Sequence, residues 1–387
     1  MDAHSTPHEI VVIGGGYAGT VAANHLRLRT DVAITLVNPR PTFVERIRLH
    51  QFAAGNYDAA VDYGTLLGDG VRLVVDSATR IDSASRTVEL ASGDALDYDY
   101  VIYAVGSTGA IPSSVPGAAE FAYSVAEFEF AERLRARLAE PPADAAITVV
   151  GGGLTGVETA AELADQGRAV TLICGGVLAP ALTAPARRSV ATWLSEHGVT
   201  VLEGDPVTQV RQDAVVLTGG TPRPSALTVW TAGFGVPGLA AASGLSVDPL
   251  GRLLTDETLV SVDDDRVVGA GDAASPSGRP LRMRCQAAMP LGIQAADAVL
   301  SRIAGTAPAV IDQAFKSTCI SLGRHAATMQ YSRPDDTPLD TFIDGQKAAE
   351  AKEELCRRAV MGISMEGRSP GAVVWQKAGP RAARMVA

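Results

Sequence analysis

Two copies of one glycine fingerprint, about 137 positions apart, constrain this chain more than any other feature of it. Gly14-Gly15-Gly16-Tyr17-Ala18-Gly19 follows the apolar run Ile10-Val11-Val12-Ile13, and Gly151-Gly152-Gly153-Leu154-Thr155-Gly156 follows Ile147-Thr148-Val149-Val150. Each reads as a buried strand, a tight turn, and a helix whose N-terminus faces a diphosphate. The first glycine permits the turn, the second lets backbone N–H groups approach a pyrophosphate, and the third lets helix pack close on strand. The copies match beyond their glycines. Gly19 to Leu26 aligns with Gly156 to Leu163, and the strand Ala33 to Val37 aligns with Ala169 to Ile173 once a one-residue gap is allowed. One such turn is common in α/β proteins. Two, with matching second strands, imply two dinucleotides on one polypeptide.

A chain of 387 residues, 47% hydrophobic and 20% charged with 39 glycines, has the length for two or three domains and the composition of a turn-rich α/β protein. A formal charge of -10 without long basic runs argues against nucleic acid as a partner. The polar start, Met1 to His8, leads directly into the first strand, so no secretory signal is expected and the cytoplasm is the default location. Cys174, Cys285, Cys319 and Cys356 are scattered, with no metal-ligand spacing, and read as reduced, mostly buried thiols; no metal is expected.

Along the chain, the first unit continues through the loop Asn38 to Gly55, a strand Val71 to Val75, a hairpin around Asp82 to Leu90, and a strand Tyr98 to Gly106. Ile111 to Gly117 has linker composition. A helix from about Val125 to Leu138 leads to the second fingerprint, whose unit ends in Leu227 to Gly233. Val267 to Ala274 is a strand ending in Gly-Asp, expected to return to the first unit. A long helix, Gln286 to Ile303, follows, with Pro290 near its first turn. Two strands, Thr318 to Leu322 and Ala326 to Tyr331, and a helix from about Gly345 to Ala359 complete the reading.

These segments in this order resemble the FAD-containing pyridine nucleotide oxidoreductases with two dinucleotide-binding domains, and most of all the type II NADH dehydrogenases (NADH:quinone oxidoreductases). The resemblance covers nearly the whole chain. It is carried by the two fingerprints, Glu158, Trp230-Thr231-Ala232-Gly233, Gly269-Ala270-Gly271-Asp272 and Ser321-Leu322-Gly323-Arg324. It implies two Rossmann-like domains of the glutathione-reductase-like kind: residues 1–112 with 245–312 for FAD, 113–244 for NAD(P)H, and a small α+β segment over 313–387. It implies FAD contacts at Gly14, Gly16, Tyr17, Ala18, Gly19, Asn38, Arg40, Arg46, Ala78, Val105, Gly106, Asp272, Gln286 and Ala287. NAD(P)H contacts are implied at Gly151, Gly153, Leu154, Thr155, Gly156, Cys174 and Gly233.

Several positions carry a second, plainer reading. Asp272 is either the acceptor for the flavin ribityl hydroxyls, next to a helix N-terminus, or an ordinary helix N-cap. Glu158 either orients the nicotinamide or is a carboxylate stabilised by the helix dipole; Val21 in the first copy shows that the turn itself needs no charge there. Arg48 and His50 either stabilise a reduced flavin or an anionic or quinonoid acceptor, or lie on a solvated amphipathic helix with Glu45 paired to Arg46.

Departures from the family pattern sharpen the chemistry. Asn38 stands where an acidic residue usually grips the adenosine ribose; exchanging a charged for a neutral acceptor costs about 1 kcal/mol, which a large cofactor absorbs. Cys174, followed by Gly175 and Gly176, leaves NADH and NADPH both open. No cysteine lies between Asn38 and Tyr57, so a redox disulfide facing the flavin is excluded there. Gln286 and Ala288 keep two positions of the family's quinone-site signature, and Pro290 replaces its second glutamine. On the last helix, Ala348, Ala351, Leu355 and Ala359 make a modest stripe that suits a homodimer or domain contact better than a bilayer.

The expected activity is an FAD-dependent NAD(P)H oxidoreductase, with Glu158, Arg48 and His50 as catalytic candidates and a quinone-like small molecule as acceptor. A ferredoxin- or rubredoxin-reductase-type enzyme, a flavoprotein reductase of a biosynthetic pathway, and a non-enzymatic flavoprotein-like binder are the alternatives.

Overall fold

The computed structural model describes residues 6–142 and 144–381; most of the polar start, residues 1–5, lies outside them. Its framework is a pair of five-stranded parallel sheets with matching strand order. In the first, Val267–Gly269, Tyr100–Tyr103, His8–Ile13, Val32–Asn38 and Val71–Val75 lie side by side in that sequence. The second repeats the plan with Ala122–Ser124, Leu227–Trp230, Ile147–Val150, Val170–Ile173 and Thr200–Leu202. The central strands are apolar runs because parallel sheets are covered on both faces. Strand Val267–Gly269 crosses the whole second unit in sequence to pair with Tyr100–Tyr103.

Each sheet carries a three-stranded antiparallel appendage: Ala78–Asp82, Thr87–Leu90 and Ala95–Asp97 on the first, Val207–Val210, Ala214–Leu217 and Pro222–Pro224 on the second. The two stretches that join the sheets, following Gly106 and Gly233, pair with each other antiparallel, Thr108 opposite Gly235.

All ten residues of the first fingerprint helix, Tyr17–Leu26, are buried. The long helix Cys285–Ile303 crosses it so closely that a Cβ on Gly292 would overlap the Ala18 carbonyl oxygen. Only small side chains allow that approach, which explains the run of alanines and glycine on this helix. Pro290 sits in its second turn, past the position where proline costs nothing.

The helix before the second fingerprint starts at Phe128 rather than Val125. The carboxyl-terminal segment has three antiparallel strands rather than two: Ser317–Leu322, Ala326–Ser332 and Pro338–Asp344. Its helix runs Gly345–Arg368, two turns and more past Ala359. The stripe is also rotated from the sequence reading. The buried residues are Ala348, Cys356, Ala359 and Ile363, with Ser364, Glu366 and Gly367 at the far end, while Leu355 is 45% exposed. No helix among the described residues is long and apolar enough to cross a membrane.

The far end of this helix is clamped to the first unit by His25. Its Nδ1 lies 2.6 Å from Glu366 Oε1 and its Nε2 3.0 Å from Asp297 Oδ1. Glu366 also accepts the N–H groups of Gly371 and Val373. Burial pulls the imidazole down, but the hydrogen bonds to Asp297 and Glu366 outweigh it and raise the pKa from 6.5 to about 9. The stabilisation is therefore complete below pH 6.5 and lost as pH rises through about 9. We expect stability to fall by on the order of 2 kcal/mol across that window, discounted because Asp297 is half exposed. Guanidinium denaturation at pH 6.5 and pH 9.5 measures it, and His25→Gln should flatten the difference.

Candidate functional site

Both fingerprints open at the carboxyl edge of their sheets, where the strand order reverses, which is where ligands of such sheets bind. In the first turn, Gly14 has φ +102, and a Cβ there would overlap the Ala104 carbonyl oxygen. A Cβ on Gly19 would overlap the carbonyl oxygen of Gly14. Gly16 is the opposite: exposed, with nothing within 4 Å of a Cβ. It is the N-cap of a helix with no side chain capping it, so its first N–H groups face outward. The second turn repeats every feature. Gly151 has φ +124, Gly156 packs against the Gly151 carbonyl, and Gly153 is exposed, unobstructed and the uncapped N-cap of Leu154–Asp165. These two cradles fit the diphosphates of two dinucleotides.

Around the first cradle, Asn38 is buried and already engaged: its Oδ1 accepts the Gly15 N–H at 2.9 Å and its Nδ2 donates to the Arg40 carbonyl at 2.8 Å. The amide orders the turn and the loop after the strand. Arg40 pairs with Glu129 at 2.5 Å, tying this loop to the helix Phe128–Leu138. Arg46 donates to the Ala126 carbonyl and, at 2.6 Å, to Ser107 Oγ. Ser107 in turn donates to Asp272 at 2.7 Å. Arg46, Ser107 and Asp272 thus form one chain of hydrogen bonds beside Val105 and Gly106. Asp272 caps no long helix; it lies in a single turn followed by the strand Ala274–Pro276. That turn packs on the cradle, since a Cβ on Gly271 would meet Ala18 Cβ at 3.0 Å.

Tyr17 stacks edge-on against Phe43 at 5.1 Å, with its hydroxyl buried and unpartnered. Gln286 and Ala287 occupy the first turn of the long helix. Ala78 stands apart, opening the antiparallel appendage opposite Leu90. It follows the edge strand by two residues from Asp76, whose N–H donates to the Asn38 carbonyl.

At the second cradle, Thr231 Oγ1 donates to the Val150 carbonyl at 2.8 Å. Gly233 has φ +86 and lies exposed against Ala110. Cys174 borders Gly152, and burial followed by the Glu203 carboxylate pushes its thiol up to about 11.

On the second fingerprint helix lies a buried polar cluster assembled from segments far apart in sequence. Glu158, in the second turn of the helix Leu154–Asp165, forms an ion pair with Lys352 of the carboxyl-terminal helix. It also accepts the N–H of Ser321 at 3.0 Å. Burial alone would raise the Glu158 carboxyl and lower the Lys352 ammonium. Each is overruled by the other's charge, so the pair is ionised. His50 is fully inside this cluster, with Nε2 unpartnered; burial pushes its pKa down to about 4, so it is neutral at physiological pH. The solvated amphipathic helix is ruled out, because Leu49–Ala53 is buried throughout.

Arg48 is buried and saturated. It donates to Glu353 at 2.6 and 2.8 Å, to Gln51 at 3.1 Å and to Glu45 at 3.3 Å, and lies 4.3 Å from the centre of the Tyr57 ring. Glu45 pairs with Arg48, not Arg46. Burial also pushes up the thiols of Cys285, to about 11, Cys319 and Cys356. All four cysteines are free, and only Cys356 is buried; the other three are partly exposed, less enclosed than the sequence suggested.

Lys352, Ser107 and Glu353 escaped the sequence reading. For Lys352 a signal exists: positions 348, 352, 356, 359 and 363 share one helical face, and this is the face that is buried.

Residues 8–292 match the family model described as pyridine nucleotide-disulphide oxidoreductase. A NADH dehydrogenase-like protein of Mycobacterium tuberculosis is 32% identical over 311 residues, covering 73% of this chain and 78% of the relative. The type II NADH:quinone oxidoreductase of Staphylococcus haemolyticus is 27% identical over 406 residues, covering 93% and 96%. Among solved structures, the sulfide:quinone oxidoreductase of Aquifex aeolicus superposes with a TM-score of 0.78 at 19% identity over 94% and 93% of the two chains; at that identity it speaks for the fold.

Proposed function

The chain belongs to the pyridine nucleotide-disulphide oxidoreductase family, oxidoreductases that work with a flavin and NAD(P)H, and from that premise we propose an FAD-dependent NAD(P)H dehydrogenase that passes electrons to a quinone-like small molecule without a redox disulfide. The observation that carries this reading is the convergence of Glu158, His50 and Lys352 on the helix that follows the second cradle, with His50 coming from a stretch, 38–57, that holds no cysteine. The remaining thiols are held protonated by burial, which makes them poor nucleophiles near neutral pH.

On this reading the first cradle binds the FAD diphosphate, with Arg46, Ser107 and Asp272 offering hydroxyl partners. The second binds NAD(P)H, with Gly233 at the junction. Bound there, the two cofactors supply hydride transfer and electron storage. The protein's own part is distance and field. Glu158, fixed by Lys352 and the Ser321 N–H, is an acceptor in one position for an amide or ribose hydroxyl. Lys352 holds Glu158 ionised and in place, Arg48 is spent on Glu353 and Glu45, and neutral His50 keeps a nitrogen available. Arg48 also positions Lys352, since its pair with Glu353 seats the carboxyl-terminal helix.

Anaerobic titration of the purified protein with NADH and with NADPH tests the first half: the visible flavin band should bleach at one equivalent. Reoxidation with quinones tests the second. Reoxidation by an iron–sulfur protein but not by quinones would sink the quinone reading, and a colourless protein would sink the enzyme.

A further inference from the structure

The strand Val170–Ile173 of the second unit runs out into Cys174, Gly175 and Gly176, with no acidic side chain where one commonly meets the adenosine ribose. The tertiary structure brings one from the neighbouring strand. Thr200–Leu202 pairs in parallel with Val170–Ile173, Leu202 opposite Ile173, so the next residue, Glu203, lies beside Cys174 at the carboxyl edge of the sheet. Backbone bonds carry that register past the strand ends: the Cys174 N–H donates to Leu202, and the Gly204 N–H to Gly176, both at 2.8 Å.

Glu203 is also built into the rim of the cradle. Its Oε1 accepts the Leu178 N–H at 2.5 Å, and one residue on, the Ala179 N–H donates to the carbonyl of Gly152 at 2.7 Å. A Cβ on Gly152 would meet Cys174 Cβ at 2.7 Å and the Val177 carbonyl at 3.0 Å, so glycine turn, Cys174 and the 175–178 loop form one wall. Glu203 is exposed, forms no ion pair among the described residues, and faces a loop, 174–178, without lysine or arginine. Its charge reaches Cys174, as the thiol's upward shift records. Val177, 50% exposed on the same loop, adds an apolar surface. A carboxylate beside an apolar patch suits a ribose with a free 2′-hydroxyl and opposes a 2′-phosphate.

We propose that Glu203 is the residue that selects the pyridine nucleotide, accepting from the 2′-hydroxyl of the adenosine ribose and repelling the 2′-phosphate, so that the protein takes NADH over NADPH. This rests on the reading that the second cradle holds NAD(P)H.

Calorimetric titration of the intact flavoprotein with NAD+ and NADP+, neither of which reduces a flavin, reads the selection as affinity. NAD+ should bind at least about tenfold tighter than NADP+ at low salt, and the ratio should shrink as salt rises. Glu203→Gln keeps an oxygen for the Leu178 N–H and removes the charge. It should bring the ratio to about threefold or less, chiefly by strengthening NADP+, while NAD+ weakens a few-fold. Cys174→Arg, which sets a cation beside the carboxylate, is the independent variant and should narrow the same ratio. Equal wild-type affinities overturn the proposal, as does a ratio unchanged in both variants, and either result leaves the second cradle standing as the nucleotide site. Failure of the wild type to bind either nucleotide overturns both readings together.

Discussion

Lys352→Met is expected to lower folding stability by about 3–5 kcal/mol. The ammonium and its partner Glu158 are only 16% and 11% exposed, so removing one leaves the other charged and enclosed. Methionine fills a similar volume, which isolates the electrostatic loss from a packing loss. Without the cation, burial is the largest influence on Glu158 and moves its carboxyl upward. On the proposed reading, flavin reduction by NADH then acquires a dependence on pH that the wild type lacks. The double variant Glu158→Gln, Lys352→Met has no unpaired charge and should recover most of the stability while remaining slow. Denaturation of the wild type, both single variants and the double variant gives the coupling directly. Purely additive losses, or a single-variant loss under about 1 kcal/mol, would show that the two groups do not act as a buried pair.

Gly156→Ala should be as damaging through the backbone. The added methyl would overlap the Gly151 carbonyl oxygen and come within 2.7 Å of Thr231 Oγ1, neither the flexible end of a long chain. The helix Leu154–Asp165 would have to move off its strand, at a cost of about 3 kcal/mol or more. Gly153→Ala is the contrasting case, because a Cβ there meets nothing within 4 Å. Its stability should change by less than about 1 kcal/mol, whereas the methyl would project where a diphosphate must approach the helix N-terminus. Thermal melting separates the two variants, and nucleotide titration completes the test. If Gly153→Ala binds NAD+ as the wild type does, the open side of the turn is not the nucleotide side. Gly19→Ala and Gly16→Ala should divide in the same way for flavin retention, since the first turn has the same geometry.

The fold was legible because local sequence and tertiary packing ask for the same residues at the fingerprints. Gly14 and Gly19 must be glycine for the chain to turn and close on itself, and Gly16 leaves the helix N-terminus open; one spacing records both. The return of Val267–Gly269 to the first sheet was readable for a similar reason, as an apolar strand ending in Gly-Asp. The third carboxyl-terminal strand was not, because Pro338 to Asp344 mixes apolar and polar residues without strict alternation and has no fully buried residue, leaning on its neighbour instead.

The site divides along the same line. Legible in the chain alone were two glycine turns that open at helix N-termini, the placement of Glu158 two residues past the second of them, and the lack of cysteine between Asn38 and Tyr57. Those are properties of contiguous segments, fixed by backbone sterics and helix periodicity. Only the tertiary structure decided that Lys352 ionises with Glu158, that Arg48 belongs to Glu353, that His50 is buried and neutral, and that Glu203 stands beside Cys174. Each joins side chains 29 to 305 positions apart. Charge state and partnership depend on burial and on which groups meet through space, and the order of residues along a chain records neither.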